Sequence, residues 1–250
     1  MIAAVVNAVA VVAGSLIGVL FSKKISQDLS RVVQTGAGVV TMVIGIEMAL
    51  AYENIIFLAM AVIAGGIIGS WLDIDGKILQ LGDALGRLVL GRRRGAPAES
   101  AGKEGDAGGL DGVSCFAYGF LNSSVLFCVG AMAILGSIKA GIDGDYTVIF
   151  TKSVLDGFMA IVFAAAALGI GTAFSALSVL VYQGALTLLA GLVAPYVHDI
   201  MLAELGAAGG ALIIMIGVNL MGLAKIKTAN YLPALLLSVG FVVVQDVLGV

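Results

Sequence analysis

Lys152 and Asp156 stand four residues apart in an otherwise apolar stretch, and on a helix that spacing places both side chains on one face. An ammonium and a carboxylate so placed can relay a proton or a cation. Equally, they can neutralise each other so that a polar helix end enters a membrane. Asp156 is the deeper member and the stronger candidate. Glu47 lies in a second apolar run and Asn219 in a third. A carboxylate and an amide on either side of a central site would serve a solute or coupling ion, whereas an acid near the surface can instead reach water with its tip. Asn122, Ser123 and Ser124 interrupt one hydrophobic segment together. Three consecutive hydrogen-bonding side chains cannot share a helix face, so either some bond back to the backbone or the helix opens there and offers its amides and carbonyls to a cavity. Gln183, between Tyr182 and Gly184, and Asn7 complete the set. Amides in apolar surroundings need a neighbouring helix or a ligand to bond.

Other chemistries lack their residues. The single histidine, His198, falls in a loop, and no HExxH or GxSxG string occurs. Cys115 and Cys128 sit thirteen apart in one apolar segment, without metal-ligand spacing, a base partner or the geometry for a disulfide within one helix. An aspartyl mechanism needs two facing carboxylates, for which only Glu47 and Asp156 are deep enough. No ATP-binding signature is present. We therefore expect no enzyme, no cofactor and no metal site.

The elements that must position these side chains follow from composition. Of 250 residues 60% are apolar and 12% charged, with 35 glycines, where a soluble domain carries about 25% charged residues. Such a chain cannot cover a water-facing surface, so it lives in a lipid bilayer. A net charge of −3 argues against nucleic-acid binding. A spanning helix needs about 20 apolar residues, and stretches of that kind lie near 2–21, 34–51, 55–72, 114–137, 149–169, 173–194, 202–223 and 230–248. The expectation is an all-α polytopic membrane protein with about eight transmembrane helices. The first stretch lacks a basic lead and a small-residue cleavage site, so it reads as a retained span.

Placing the N-terminus outside puts 11 of the 13 lysines and arginines on the cytoplasmic side, leaving Lys139 and Lys152. Both termini are then outside, and the simplest location is a bacterial inner membrane. Residues 71–88 show helical apolar spacing through Ile74, Ile78, Leu81, Leu85 and Leu88, with Asp73, Asp75, Lys77, Asp83 and Arg87 on the other face. That pattern predicts an amphipathic helix on the inner leaflet. Residues 91–112 read as a flexible linker, and 22–33 as a second interfacial helix.

Shifting the chain against itself by 172 residues aligns the second span with the seventh, Gly38 with Gly210, Gly45 with Gly217 and Glu47 with Asn219. Five spans is an odd offset, so 1–72 and 173–250 would be three-helix units of opposite orientation, an arrangement that recurs in secondary transporters. The organisation expected is a first repeat at 1–72, a cytoplasmic helix and linker at 73–112, a central helix pair at 113–172 and an inverted repeat at 173–250.

Four strings reach beyond composition: NSSVLFCVGAMAILG at 122–136, TKSVLDG at 151–157, YQGALTLLAG at 182–191 and VNAVAVVAG at 6–14. Together they resemble the YqgA/YdfK-like family of bacterial inner-membrane proteins, a domain-of-unknown-function family for which transport has been suggested. The resemblance implies a membrane location and a transport role and assigns no binding residues. The function expected is that of a secondary transporter or facilitator for a small polar solute or ion, with its site between the repeats. Asn7, Glu47, Asn122, Ser123, Ser124, Lys152, Asp156, Gln183 and Asn219 are the candidate ligands. The alternatives are an ion channel, or a membrane subunit acting through a cytoplasmic partner. Glycine-rich faces and small size point to a homodimer.

Overall fold

A computed structural model describes residues 1–22, 27–80, 84 and 112–248. Most of the expected cytoplasmic segment, including the 91–111 part of the linker, lies outside the described residues. All regular elements among the described residues are helical: α1 (Ile2–Ser22), α2 (Gln27–Ala49), α3 (Ile55–Trp71), α4 (Ile74–Gln80), α5 (Gly112–Cys128), α6 (Ala131–Ile142), α7 (Thr147–Phe163), α8 (Gly171–Leu188), α9 (Ala190–Val193), α10 (Asp199–Leu220) and α11 (Pro233–Leu248). Six are long and apolar enough to cross a bilayer, α7 with the π turn that follows it at Ala164–Leu168 and α11 with the turn that precedes it at Thr228–Tyr231. Two bent pairs, α3 with α4 and α5 with α6, bring the number to eight when each pair is one span.

Val9, Ile63, Val154, Leu188 and Leu236 point outward, exposed. Apolar side chains spread over the whole periphery belong against lipid tails. Inside, Val11, Phe116, Phe127, Phe163, Val179, Leu212, Ile213 and Ile216 are buried, so the core lies among α1, α5, α7, α8 and α10.

Backbones approach where small residues face each other, because van der Waals packing has to replace the hydrophobic force that lipid removes. On α1 the buried residues Asn7, Val11, Gly14 and Gly18 form one stripe. A Cβ at Gly14 would strike the Gly157 carbonyl and one at Gly18 the Ile161 carbonyl, so α1 and α7 run parallel in close contact. Between α2 and α10 the approach is reciprocal. A Cβ at Gly45 would come 2.9 Å from the Gly210 oxygen and one at Gly210 2.6 Å from the Gly45 oxygen. One at Gly38 would come 2.9 Å from the Gly217 oxygen and one at Gly217 2.8 Å from the Gly38 oxygen. These helices are therefore antiparallel, and each glycine meets the residue that the 172-residue shift aligns with the other.

Two local expectations are corrected and one open alternative is decided. Residues 27–33 do not form a separate interfacial helix; they are the first turns of α2, which has no break before Ala49. Asp75 does not share a solvated face with Asp73. It is 6% exposed and turned inward, because α4 bends 57° from α3 and brings the Asp75 carboxylate to the Ala229 amide. The interrupted span bends 61° between α5 and α6, at Gly130 with φ 129°, while Asn122–Ser124 stay within the continuous helix α5. Glycine tolerates that backbone and the serines do not require it.

Candidate functional site

Three helices bring four of the candidate side chains together. Asn7 comes from the buried stripe of α1, Lys152 and Asp156 from α7, and Gln183 from α8. The Gly14–Gly157 approach makes this meeting possible, because Gly157 follows Asp156 directly and a larger residue at Gly14 would strike the Gly157 carbonyl and hold the backbones apart.

Asp156 Oδ2 accepts from Lys152 Nζ at 2.5 Å and from Asn7 Nδ2 at 2.9 Å. The second Asn7 hydrogen goes to Gln183 Oε1, 3.1 Å away. Asn7 and Gln183 are fully buried, and Lys152 and Asp156 are 6% and 7% exposed. The carboxylate decides how both amides are turned. Flipping Asn7 would set oxygen against oxygen at Asp156, and once the Asn7 NH2 is placed, Gln183 must face it with its own oxygen. That leaves Asn7 Oδ1 as a buried acceptor and Gln183 Nε2 as a buried donor, neither with a partner among the described side chains and backbone. An unmet buried group costs about 1–3 kcal/mol, and one free acceptor and one free donor stand side by side in the cluster. Its formal charge is zero, one ammonium against one carboxylate.

The other candidates lie elsewhere. Glu47 is exposed on α2. Asn219 spends its amide on the loop that follows α10, donating to the Ile226 carbonyl and accepting from the Ile226 N–H, each at 2.7 Å. Asn122 and Ser123 are buried on α5, and Ser124 pairs with Ser178 of α8 at 3.0 Å. That hydroxyl pair borders a cavity of about 530 Å³ between α4, α5, α8, α10 and α11, whose wall is mostly apolar, with Phe120, Leu121, Leu205 and Leu232. Tyr182, next to Gln183 in the chain, lines it, as does Cys128. The cavity therefore adjoins the cluster without including it.

Two buried acids escape a reading from sequence. Glu204, on α10, is fully buried, and its Oε1 accepts the backbone N–H groups of Glu53 at 3.0 Å and Asn54 at 2.5 Å, just ahead of α3. Its position two residues inside the 202–223 stretch was the available signal, since an acid within a span is costly and calls for a partner. Asp75 is hidden in an amphipathic pattern that its own element does not follow.

Over 243 residues the chain is 27% identical to the uncharacterised membrane protein YdfK of Bacillus subtilis (strain 168), covering 95% of this chain and 93% of that one. Over 233 residues it is 28% identical to the uncharacterised protein YqgA of Escherichia coli (strain K12), covering 93% and 92%. No solved structure matches. The family model described as Protein of unknown function (DUF554) matches residues 2–243. With that match over nearly its whole length, and with its apolar helices in contact with lipid, the chain belongs to the DUF554 family as a multi-pass membrane protein.

Proposed function

We propose that this protein is a secondary transporter or facilitator of a small polar solute or ion in the bacterial inner membrane, with both termini outside. The observation that carries the reading is the buried cluster of Asn7, Lys152, Asp156 and Gln183. Ionisable groups in a bilayer are costly and mark transport pathways, and these come from α1, α7 and α8, where the first unit, the central pair and the last unit meet. The reciprocal glycine contacts of α2 and α10 support inverted repeats, because a two-fold axis in the membrane plane sets each residue against the partner of its opposite number. Transport rather than catalysis fits the cluster, since its carboxylate, Asp156, is paired with the Lys152 ammonium rather than with a second carboxylate.

The test is flux in proteoliposomes, read with a trapped pH dye under a valinomycin-clamped potential and with a panel of labelled small polar solutes. Native protein is expected to move protons or a member of the panel, and Asp156→Asn to lose that flux. Native protein that is folded yet moves nothing, or an Asp156→Asn variant as active as native, overturns the reading.

A further inference from the structure

The lead into α3 and the lead into α11 are held in the same way at opposite ends of the bundle. Glu204 of α10 takes the N–H groups of Glu53 and Asn54, and Asn54 in turn caps α3 by accepting from Ile56 N–H at 2.9 Å. Asp75 of α4 takes the Ala229 N–H at 3.3 Å and gives its own N–H to Asn230 Oδ1 at 2.8 Å, in the turn before α11. The two grips are separated by the length of α3, 17 residues or about 25 Å. In each, a buried acid holds the lead into a distant helix: Glu204 reaches from α10 to the lead into α3, and Asp75 from the start of α4 to the lead into α11.

Resting on the transport reading, we propose that Glu204 and Asp75 are the two latches of the pathway, one at each face of the membrane, and that they release in alternation. The Glu204 grip is built to open. Its Oε2 is buried with no partner from the protein, so a movement that exposes the carboxylate gains hydrogen bonds at that oxygen, which offsets the two N–H bonds given up. The Asp75 end is tightly shut, for a Cβ at Gly69 would overlap the Asn230 carbonyl, and separating α3 from the α11 lead requires movement of the whole segment. Alternation follows from the α3–α4 unit bearing on both grips: a shift that frees its first end presses its second against α11.

The experiment is amide hydrogen exchange on full-length protein in lipid nanodiscs without any solute, comparing residues 50–56 with residues 226–232. Glu204→Gln is expected to raise exchange in 50–56 by about fivefold, because a neutral acceptor holds an N–H about half as strongly as a charged one, and to slow exchange in 226–232. Asp75→Asn is expected to do the reverse. Glu204→Asp keeps the charge but withdraws the carboxyl by one methylene, so it should follow Glu204→Gln and covers the case in which that variant fails to fold. Faster exchange confined to the mutated end, or at both ends together, overturns the alternation. Because no flux is measured, these outcomes are separate from loss of transport in Asp156→Asn.

Discussion

Replacing Lys152 by methionine leaves the Asp156 carboxylate buried with only the Asn7 amide, and replacing Asp156 by leucine strands an ammonium together with the Asn7 hydrogen. Both side chains are at least nine-tenths buried, so the relevant scale is that of a broken interior pair, about 3–5 kcal/mol for each single variant. Asp156→Leu falls at the upper end because two donors lose their acceptor. Lys152→Met with Asp156→Leu removes both charges, which is often neutral or favourable by about 1–4 kcal/mol. Against this stands the unmet Asn7 hydrogen, about 1–3 kcal/mol, so the double variant should lie near the native stability. The coupling is then at least about 3 kcal/mol, far above the value below about 1 kcal/mol of a hydrated surface pair. Reversible unfolding of the four proteins in mixed micelles measures it. Additive single losses, each below about 1 kcal/mol, would refute the buried-pair argument. The same four proteins in the flux assay separate function from stability: a stable but inactive double variant is expected, and an active one would make the cluster a structural weld only.

Gly210→Ala should destabilise by about 1–3 kcal/mol and more than Gly217→Ala, because the new methyl meets backbone atoms of Ala49 and Gly45 at 2.4 and 2.6 Å in the first case, whereas in the second the nearest backbone atoms, Gly38 O and Met42 N, lie at 2.8 and 2.9 Å; equal melting temperatures would contradict this. Glu47→Gln, an exposed change, should leave flux within about twofold of native, and abolished flux would restore Glu47 to the site. Asp145 accepts the Thr147 N–H at 2.9 Å at the start of α7, and its bonds to Thr147 hold its carboxyl below the ordinary 3.8. A depressed acid stabilises above its unfolded value and loses that contribution as pH falls through the folded one. Protection of the Thr147 amide, taken relative to the intrinsic exchange rate at each pH, should thus fall below about pH 4 in native protein, and Asp145→Ala should show the loss already at pH 6; native protection unchanged down to pH 2 would remove the cap.

The candidate residues divide by the kind of information each needed. Lys152 and Asp156 were legible as a pair because their spacing is local. Asn7 and Gln183 were legible only as amides out of place, since their common partner lies 149 residues from one and is reached through the other. Glu47 and Asn219 align by repeat, yet alignment carries no information about which way a side chain faces, and one proved exposed while the other braces its own loop. Asn122–Ser124 were legible as a disturbance but not as its location, because the bend needs a residue that accepts positive φ, which Gly130 supplies.

From the sequence alone came the solvent, the helical class and the places where helices cross the bilayer. Each depends on hydropathy summed over about 20 consecutive residues, and within one such segment lipid lets the backbone satisfy its hydrogen bonds only as a helix, a barrel needing partner strands. The tertiary structure decided which faces meet. Glycine stripes set how near α1 comes to α7 and α2 to α10, and a change of an ångström or two there determines whether Asn7 reaches Asp156. It also decided the fate of Glu204 and Asp75, whose partners are backbone N–H groups about 150 residues away, and a backbone N–H looks the same at every position of a sequence.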